Sequence, residues 1–342
     1  MPTALAILRG VCEAKSQNPS IPSAILRRGV RSLYVCHTLR LYKLMFKNLQ
    51  VVGGTFREFR MVRGLRVEVG EELRGWRWGE PPVQPPPLGV RLSVTDVVGG
   101  YCESRRDLYL KKVVGVRAEP NGGMKFGAYI HEVFRRSLAE LRRLIEGGVV
   151  KGWELVQSFN AEAAAREAAS AADAEADPRG VELARYLAIQ VAARVDEIAS
   201  RSPADPLSVA ARAVPVLAEY VIDGRPLGLT LVRADALYHN VVVEIKVGSY
   251  SERHTLALAG YALAIEADEE VPIDAGLLIY VAFNGGVKLR AYPVAIGEGL
   301  RREFLEERNR LMELVASGSD PGLSPKCDDK CPLWRHCHGG SG

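Results

Sequence analysis

Two neighbouring stretches place charge where a strand would bury apolar side chains. In 229–237 one parity reads Leu229, Leu231, Arg233 and Asp235. In 241–247 one parity is Val241, Val243, Ile245 and Val247, and the other is Val242, Glu244 and Lys246. Alternation along a strand therefore puts Glu244 and Lys246 on one face. A tight turn at His239-Asn240 would bring Asp235 close to Glu244. Two carboxylates side by side repel, and burying them without a partner is costly. A divalent cation removes that conflict, and hard oxygen ligands suit Mg²⁺ or Mn²⁺. A lysine two residues on steadies charge growing on a phosphate. The set suits metal-assisted phosphodiester hydrolysis, in which the cation polarises the phosphoryl oxygen and activates water. A surface hairpin with Glu–Lys cross-strand pairs carries the same short pattern.

The second chemical feature is Cys327-Asp-Asp-Lys-Cys331-Pro-Leu-Trp-Arg-His-Cys337. Three thiols in so short a loop point to a metal, and a closed site needs a fourth ligand. Cys12, Cys36, Cys102, His336 and His338 are the candidates. Cys102 is preferred, because Arg105 and Arg106 beside it favour the thiolate. Four thiolates suit zinc or a [4Fe–4S] cluster. Zinc sites usually come as two local Cys-x₂-Cys knuckles, so one distant cysteine with a C-terminal triplet favours the cluster. Such a staple closes a long loop and restricts the unfolded chain.

These residues need a scaffold. Residues 1–45 read as a poorly ordered basic arm, with Met45 as an alternative natural start. Residues 46–91 form an extension ending in the extended connector Pro81-Pro-Val-Gln-Pro-Pro-Pro87. Residues 92–316 form the core. Ser93 caps a short helix ending near Gly99, and a second helical piece follows over 101–109. Ile130, Phe134, Leu138, Leu141 and Ile145 mark an amphipathic helix over 127–146. A helical insert at about 150–203 breaks at Asp177-Pro-Arg-Gly180. Strands follow at 214–222, 229–237 and 241–247, then a helix at about 253–266. Strands 275–283 and 287–294 flank the turn Asn284-Gly-Gly286, and a helix spans about 298–316. Residues 317–342 form the cysteine loop. The order predicts an α/β class with a mixed central sheet flanked by helices.

Composition sets the boundaries. At 342 residues, 47% hydrophobic and 25% charged, the chain has the balance of a globular protein rather than a disordered one. It contains no apolar run long enough to span a bilayer and no secretory leader, so no membrane partner and a cytoplasmic location are expected. The net charge of +4 is unevenly placed. Residues 1–70 hold 12 Lys/Arg against 3 acids, and the rest is net negative, a distribution compatible with a nucleic-acid partner.

Taken in chain order, the residues are a helix histidine (His131), an acid (Glu219), Asp235, Glu244-x-Lys246 and a helix tyrosine (Tyr261). That order resembles nucleases of the RecB family within the restriction-endonuclease-like fold. Adding the cysteines, the chain resembles the CRISPR-associated RecB-like iron–sulfur exonucleases, in their archaeal branch. Glu72-Leu-Arg-Gly-Trp-Arg-Trp78, the proline run, residues 96–109, Ile130-His-Glu-Val-Phe134 and Ala259-Gly-Tyr-Ala-Leu-Ala264 carry the likeness, over about 70–338. The resemblance implies that His131, Asp235, Glu244 and the carbonyl of Ile245 hold Mn²⁺ or Mg²⁺, with Lys246 catalytic. It implies a [4Fe–4S] cluster on Cys102, Cys327, Cys331 and Cys337. It also implies trimming of DNA ends before an integrase and other acquisition proteins insert them. Arg105, Arg106, Lys111, His254 and Tyr261 are the expected contacts to a single-stranded end. Two departures stand out. Ala257 occupies the position of the family's glutamine, and the last cysteines are spaced Cys-x₃-Cys-x₅-Cys instead of Cys-x₂-Cys-x₅-Cys. A non-catalytic scaffold subunit of the acquisition complex and a repair nuclease outside CRISPR are the rival readings.

Overall fold

The structure, a computed structural model, describes Val62, Leu65 and residues 67–99, 102–201, 205–327 and 331–339. All belong to the compact unit Thr55–Gly342, and the expected arm at 1–45 lies outside the described residues.

A five-stranded sheet runs in the order β1 (Leu217–Ile222), β2 (Val232–Tyr238), β3 (Val241–Val247), β4 (Ala275–Ala282) and β5 (Lys288–Ala295). The first three strands form an antiparallel meander, β3 and β4 are parallel, and β5 returns antiparallel to β4. A parallel step needs a crossover. Helix Arg253–Glu269 supplies it between β3 and β4. The sheet is mixed and flanked by helices, as the element order predicts.

Helical layers cover both faces because residues of opposite parity are apolar. Short helices α1 (Val94–Val98) and α2 (Arg106–Tyr109) precede the long helix α3 (Gly122–Glu146). Helices α4 (Gly152–Ser158), α5 (Ala161–Ala171), α6 (Pro178–Arg201) and α7 (Pro206–Ala213) follow. Ile130, Val133, Leu141 and Ile145 of α3 join the insert helices and one sheet face, including Val243, Ile245 and Ile279, in one core. On the other face, Val242, Leu278 and Tyr280 pack with α1, α8 (Arg253–Glu269) and α9 (Glu298–Ser317). Helix α8 is buried on every side from Leu256 to Glu266, which its alanine-rich, nearly uncharged sequence allows. Gly260 lets α9 approach: a Cβ there would lie 2.5 Å from the Phe304 ring.

Several boundaries differ from expectation for identifiable reasons. Helix α3 begins at Gly122, five residues before 127, because the Asn121 side chain accepts the Met124 N–H and caps it. Pro178 opens α6 where the sequence suggested a break. Helix α7 was not expected; Asp205 caps it and Pro206 starts it, so β1 begins only at Leu217. Leu229 pairs with Leu92 in an isolated parallel bridge instead of opening β2.

A buried ion network ties the extension to the core. Arg301 and Glu266 are both fully buried, with Nη1–Oε2 at 2.7 Å and Nη2–Oε1 at 2.9 Å. Glu266 also accepts from Arg74 Nη1 (2.9 Å), Gly75 N (2.8 Å) and Ile273 N (3.0 Å). Every charge-bearing atom of Glu266 is thereby partnered, which is what makes burying it tolerable.

Candidate active site

The site sits where β2 and β3 part. Pairing between them covers Ala236–Val243, Leu237–Val242 and Tyr238–Val241, then stops although both strands continue. Asp235 and Glu244 occupy the next position. The Asp235 carboxylate fills the gap between the strands: its Oδ2 accepts the Ile245 N–H at 2.7 Å. Its Oδ1 meets Nδ1 of His131, on α3, at 2.9 Å. A helix from one layer thus reaches the end of the sheet and locks onto its carboxylate. Glu219 lies on β1 between the paired positions Ala218–Ala236 and Tyr220–Ala234.

Glu244 is 3% exposed. Lys246 donates from Nζ to its Oε1, and its Oε2 has no hydrogen-bond partner. Burial, then the Asp235 charge, pushes the Glu244 carboxyl up to about 7. The Asp235 carboxyl is held below its ordinary value: burial opposes this, but His131, the Ile245 N–H and Lys246 outweigh it. His131 and Lys246 are both raised, because the carboxylates they face outweigh the cost of burying a cation. Two acids on adjacent strands are therefore driven apart in affinity for protons.

Tyr261 of α8 is buried against Glu244; burial, then the carboxylate charges, holds its phenol well above 10. It supports the site from beneath, where sequence reasoning expected a surface contact to DNA. His254 bonds through Nδ1 to the Tyr280 hydroxyl at 2.6 Å. Ala257, at the position of the family's glutamine, is buried.

The expected cationic channel is arranged differently. Arg105 is 3% exposed, and its guanidinium donates to the carbonyls of Asp96 and Val97 and to Glu307 at 3.1 Å. Its charge is consumed by the fold, so it lines no open channel. Arg106 holds Asp320 with two donors, at 2.9 and 2.7 Å, and Lys111 pairs with Asp96 at 2.5 Å.

Cys102 and Cys327 form an isolated antiparallel bridge, which draws the C-terminal loop onto the start of the core. Ser104 reinforces it by donating to the Gly322 carbonyl at 2.9 Å. Cys331 precedes helix α10 (Trp334–His338), which carries Cys337. Burial first, and the charges of Cys102 and Cys327 after it, raise both thiols. All four cysteines are free and half-buried.

Among the described residues, no three His, Cys, Asp or Glu side chains converge as a ready-made ion site. At the sheet end the reason is visible: Asp235 is taken up by His131 and Ile245, and one oxygen of Glu244 by Lys246. The donor chemistry nevertheless fits a cation, since Glu244 Oε2 is a buried oxygen without a partner beside a second carboxylate.

Sequence reading missed the aromatic group beyond Lys246. Tyr250, Tyr280, Tyr292 and His254 contact one another with ring centroids 5.1–5.9 Å apart. The signal was the alternation of Lys288, Arg290 and Tyr292 along β5, readable only once that strand's register is known. No helix of the described residues is long and apolar enough to cross a membrane.

Comparison with known proteins gives the family. The model of the family described as "CRISPR-associated exonuclease Csa1" matches residues 45–340. A "CRISPR-associated exonuclease Csa1" of Thermoproteus tenax is 38% identical over 275 residues, 79% of this chain and 92% of the relative. A protein of the same name from Saccharolobus solfataricus is 32% identical over 287 residues, 81% and 95% of the two chains. The matched span 45–340 takes in both carboxylate strands, and the chain belongs to the CRISPR-associated exonuclease Csa1 family.

Proposed function

We propose that this protein is a metal-dependent DNA exonuclease that trims the single-stranded ends of DNA fragments during CRISPR spacer acquisition. Its relatives are named as CRISPR-associated exonucleases. The observation that carries the metal-dependent reading is the unpartnered Oε2 of buried Glu244 beside Asp235. Asp235, Glu244 and His131, with the Ile245 carbonyl, would hold Mn²⁺ or Mg²⁺. Such a cation supplies Lewis acidity at the phosphoryl oxygen and lowers the pKa of water.

The chain's own side chains do the rest. Lys246 places an ammonium at the open end of the carboxylate pair, where negative charge develops on a phosphate during attack. Tyr261 lies buried against Glu244 on the α8 side of the pair. His131 orients the Asp235 carboxylate, whose second oxygen is fixed by the Ile245 backbone. Held from two sides, Asp235 has little freedom to rotate away from the reacting group.

Cys102, Cys327, Cys331 and Cys337 would hold a [4Fe–4S] cluster that staples the C-terminal loop to the core. The backbone bridge between Cys102 and Cys327 supports that set. An integrase and the other acquisition proteins are the partners this role requires.

The test is digestion of end-labelled single-stranded DNA with Mn²⁺, Mg²⁺ or EDTA. Wild type should cut with either ion and stop in EDTA, and Asp235→Ala should not cut. Persistent activity in EDTA, or full activity of Asp235→Ala, would remove the mechanism.

A further inference from the structure

The row of side chains that contains Lys246 continues across the sheet. Lys246 stands in register with Tyr280 on β4, and Tyr280 with Arg290 on β5. Alternation places Lys288, Arg290 and Tyr292 on that same face. At roughly 4.8 Å per strand, Arg290 is about 10 Å from Lys246 along the row.

Two properties of this strip are unusual for the molecule. Most arginines here are paired with carboxylates or carbonyls, yet Lys288 and Arg290 are exposed and make no hydrogen bond or ion pair among the described residues. Tyr250 is 47% exposed, yet it is not a loose loop side chain. Its ring rests on Tyr280 at 5.9 Å and Tyr292 at 5.1 Å. Tyr280 is itself fixed, through its hydroxyl, by His254 and by the Ser251 N–H at 3.2 Å. The result is an aromatic ring supported on one side and open on the other, beside two unpaired cations. An immobilised ring loses little entropy when a planar partner stacks on it. Glu252, at the head of α8, is the one acid in the 248–252 loop.

We propose that this strip is the track along which the single-stranded DNA end reaches Lys246, with a base stacked on Tyr250 and successive phosphates on Arg290 and Lys288. The inference rests on the nuclease reading above and adds the substrate's path. Stacking on aromatic side chains tolerates any base, and unpaired cations follow a phosphate backbone. Both suit an enzyme that must accept ends of differing sequence.

The experiment uses the full chain and a fluorescent single-stranded oligonucleotide, with binding measured by anisotropy without added divalent ion. Cleavage is measured separately with Mn²⁺. Tyr250→Ala should weaken binding by about 5- to 150-fold, while Tyr250→Phe should keep it. The double variant Lys288→Gln/Arg290→Gln should flatten the slope of log K against log salt by about 1.4, or about 0.7 per lost phosphate contact. Arg212→Gln, an exposed cation on α7 in the opposite layer, should leave that slope unchanged. Thermal melts of the variants should match wild type, since these side chains lie on the surface. If wild type cleaves with Mn²⁺ but Tyr250→Ala and the double variant bind with wild-type affinity and slope, the track is wrong and the nuclease reading stands. If Arg212→Gln weakens binding as much as the double variant, the attraction is generic and the track is wrong. If wild type shows no metal-dependent cleavage at all, the nuclease reading falls and the track with it.

Discussion

His131 and Asp235 meet at 2.9 Å across the boundary between a helical layer and the end of the sheet. The pair joins α3 to the point where β2 and β3 separate, so the position of the carboxylate depends on how α3 packs. His131 orients the carboxylate through Nδ1, and the proposed mechanism gives it a second role as a metal ligand.

That dual role sets the outcome for His131→Ala. The variant should cut more weakly than wild type at low Mn²⁺ and recover in part at high Mn²⁺, since it loses a ligand but keeps both carboxylates. Mn²⁺ should support wild type at least as well as Mg²⁺, because imidazole suits the softer ion. A metal titration of cleavage rate reads both effects. No rescue at saturating Mn²⁺ would assign His131 to orientation alone.

Lys246→Ala separates charge stabilisation from metal binding. Cleavage should slow by about 10²–10³-fold, the scale for loss of one transition-state stabiliser. The apparent Mn²⁺ requirement should change little. A large rise in that requirement with normal rate at saturation would place Lys246 in holding the carboxylates rather than in the chemical step.

The four-cysteine set predicts colour. Protein purified without oxygen should be brown and contain about four irons per chain. Alanine at Cys102, Cys327, Cys331 or Cys337 should lose iron and lower the melting temperature, while alanine at Cys12 or Cys36 should not. Metal analysis that finds one zinc and no iron would replace the cluster by a zinc staple.

Breaking the buried pair Arg301–Glu266 should destabilise the fold without touching the site. Arg301→Met leaves a fully buried carboxylate short of two of its donors. The expected loss is about 3–5 kcal/mol in denaturant unfolding. Loss under about 1 kcal/mol would mean that Arg74 and the backbone N–H groups suffice to hold Glu266.

Asp96 supplies a pH-dependent share of stability. It closes a capping box with Ser93 at the start of α1 and pairs with Lys111 and Lys112. Burial alone would raise its carboxyl, but the Lys111 ammonium and the Ser93 N–H prevail and hold it at about 2. A pKa depressed on folding contributes stability above the unfolded value near 3.9, and that share disappears as pH falls toward 2. About 2 kcal/mol should be lost across that window in wild type. Asp96→Asn should flatten this part of the stability–pH curve, as followed by urea unfolding at stepped pH.

Much of the site's chemistry was legible in the chain, because strand alternation is strict. Glu244 and Lys246 must share a face, and a tight turn at His239-Asn240 must bring Asp235 opposite Glu244. Strand and helix order followed from periodicity, and so did the mixed sheet. Sequence did not indicate that pairing stops after Ala236–Val243 or that Asp235 fills the gap, and only the family resemblance, not spacing or periodicity, brought His131 to these carboxylates. Those are long-range outcomes of packing two cores against one sheet. The same limit applied to the cations. Arg105, Arg106 and Lys111 looked free beside Cys102, yet Arg105 is buried with Glu307, and Arg106 and Lys111 stand in ion pairs with Asp320 and Asp96. Lys288 and Arg290 looked ordinary, yet they remain unpaired in the row of Lys246. A residue's type and its local neighbours are written in the chain. Whether its charge is satisfied depends on what the fold brings from hundreds of residues away, and only the tertiary structure decides that.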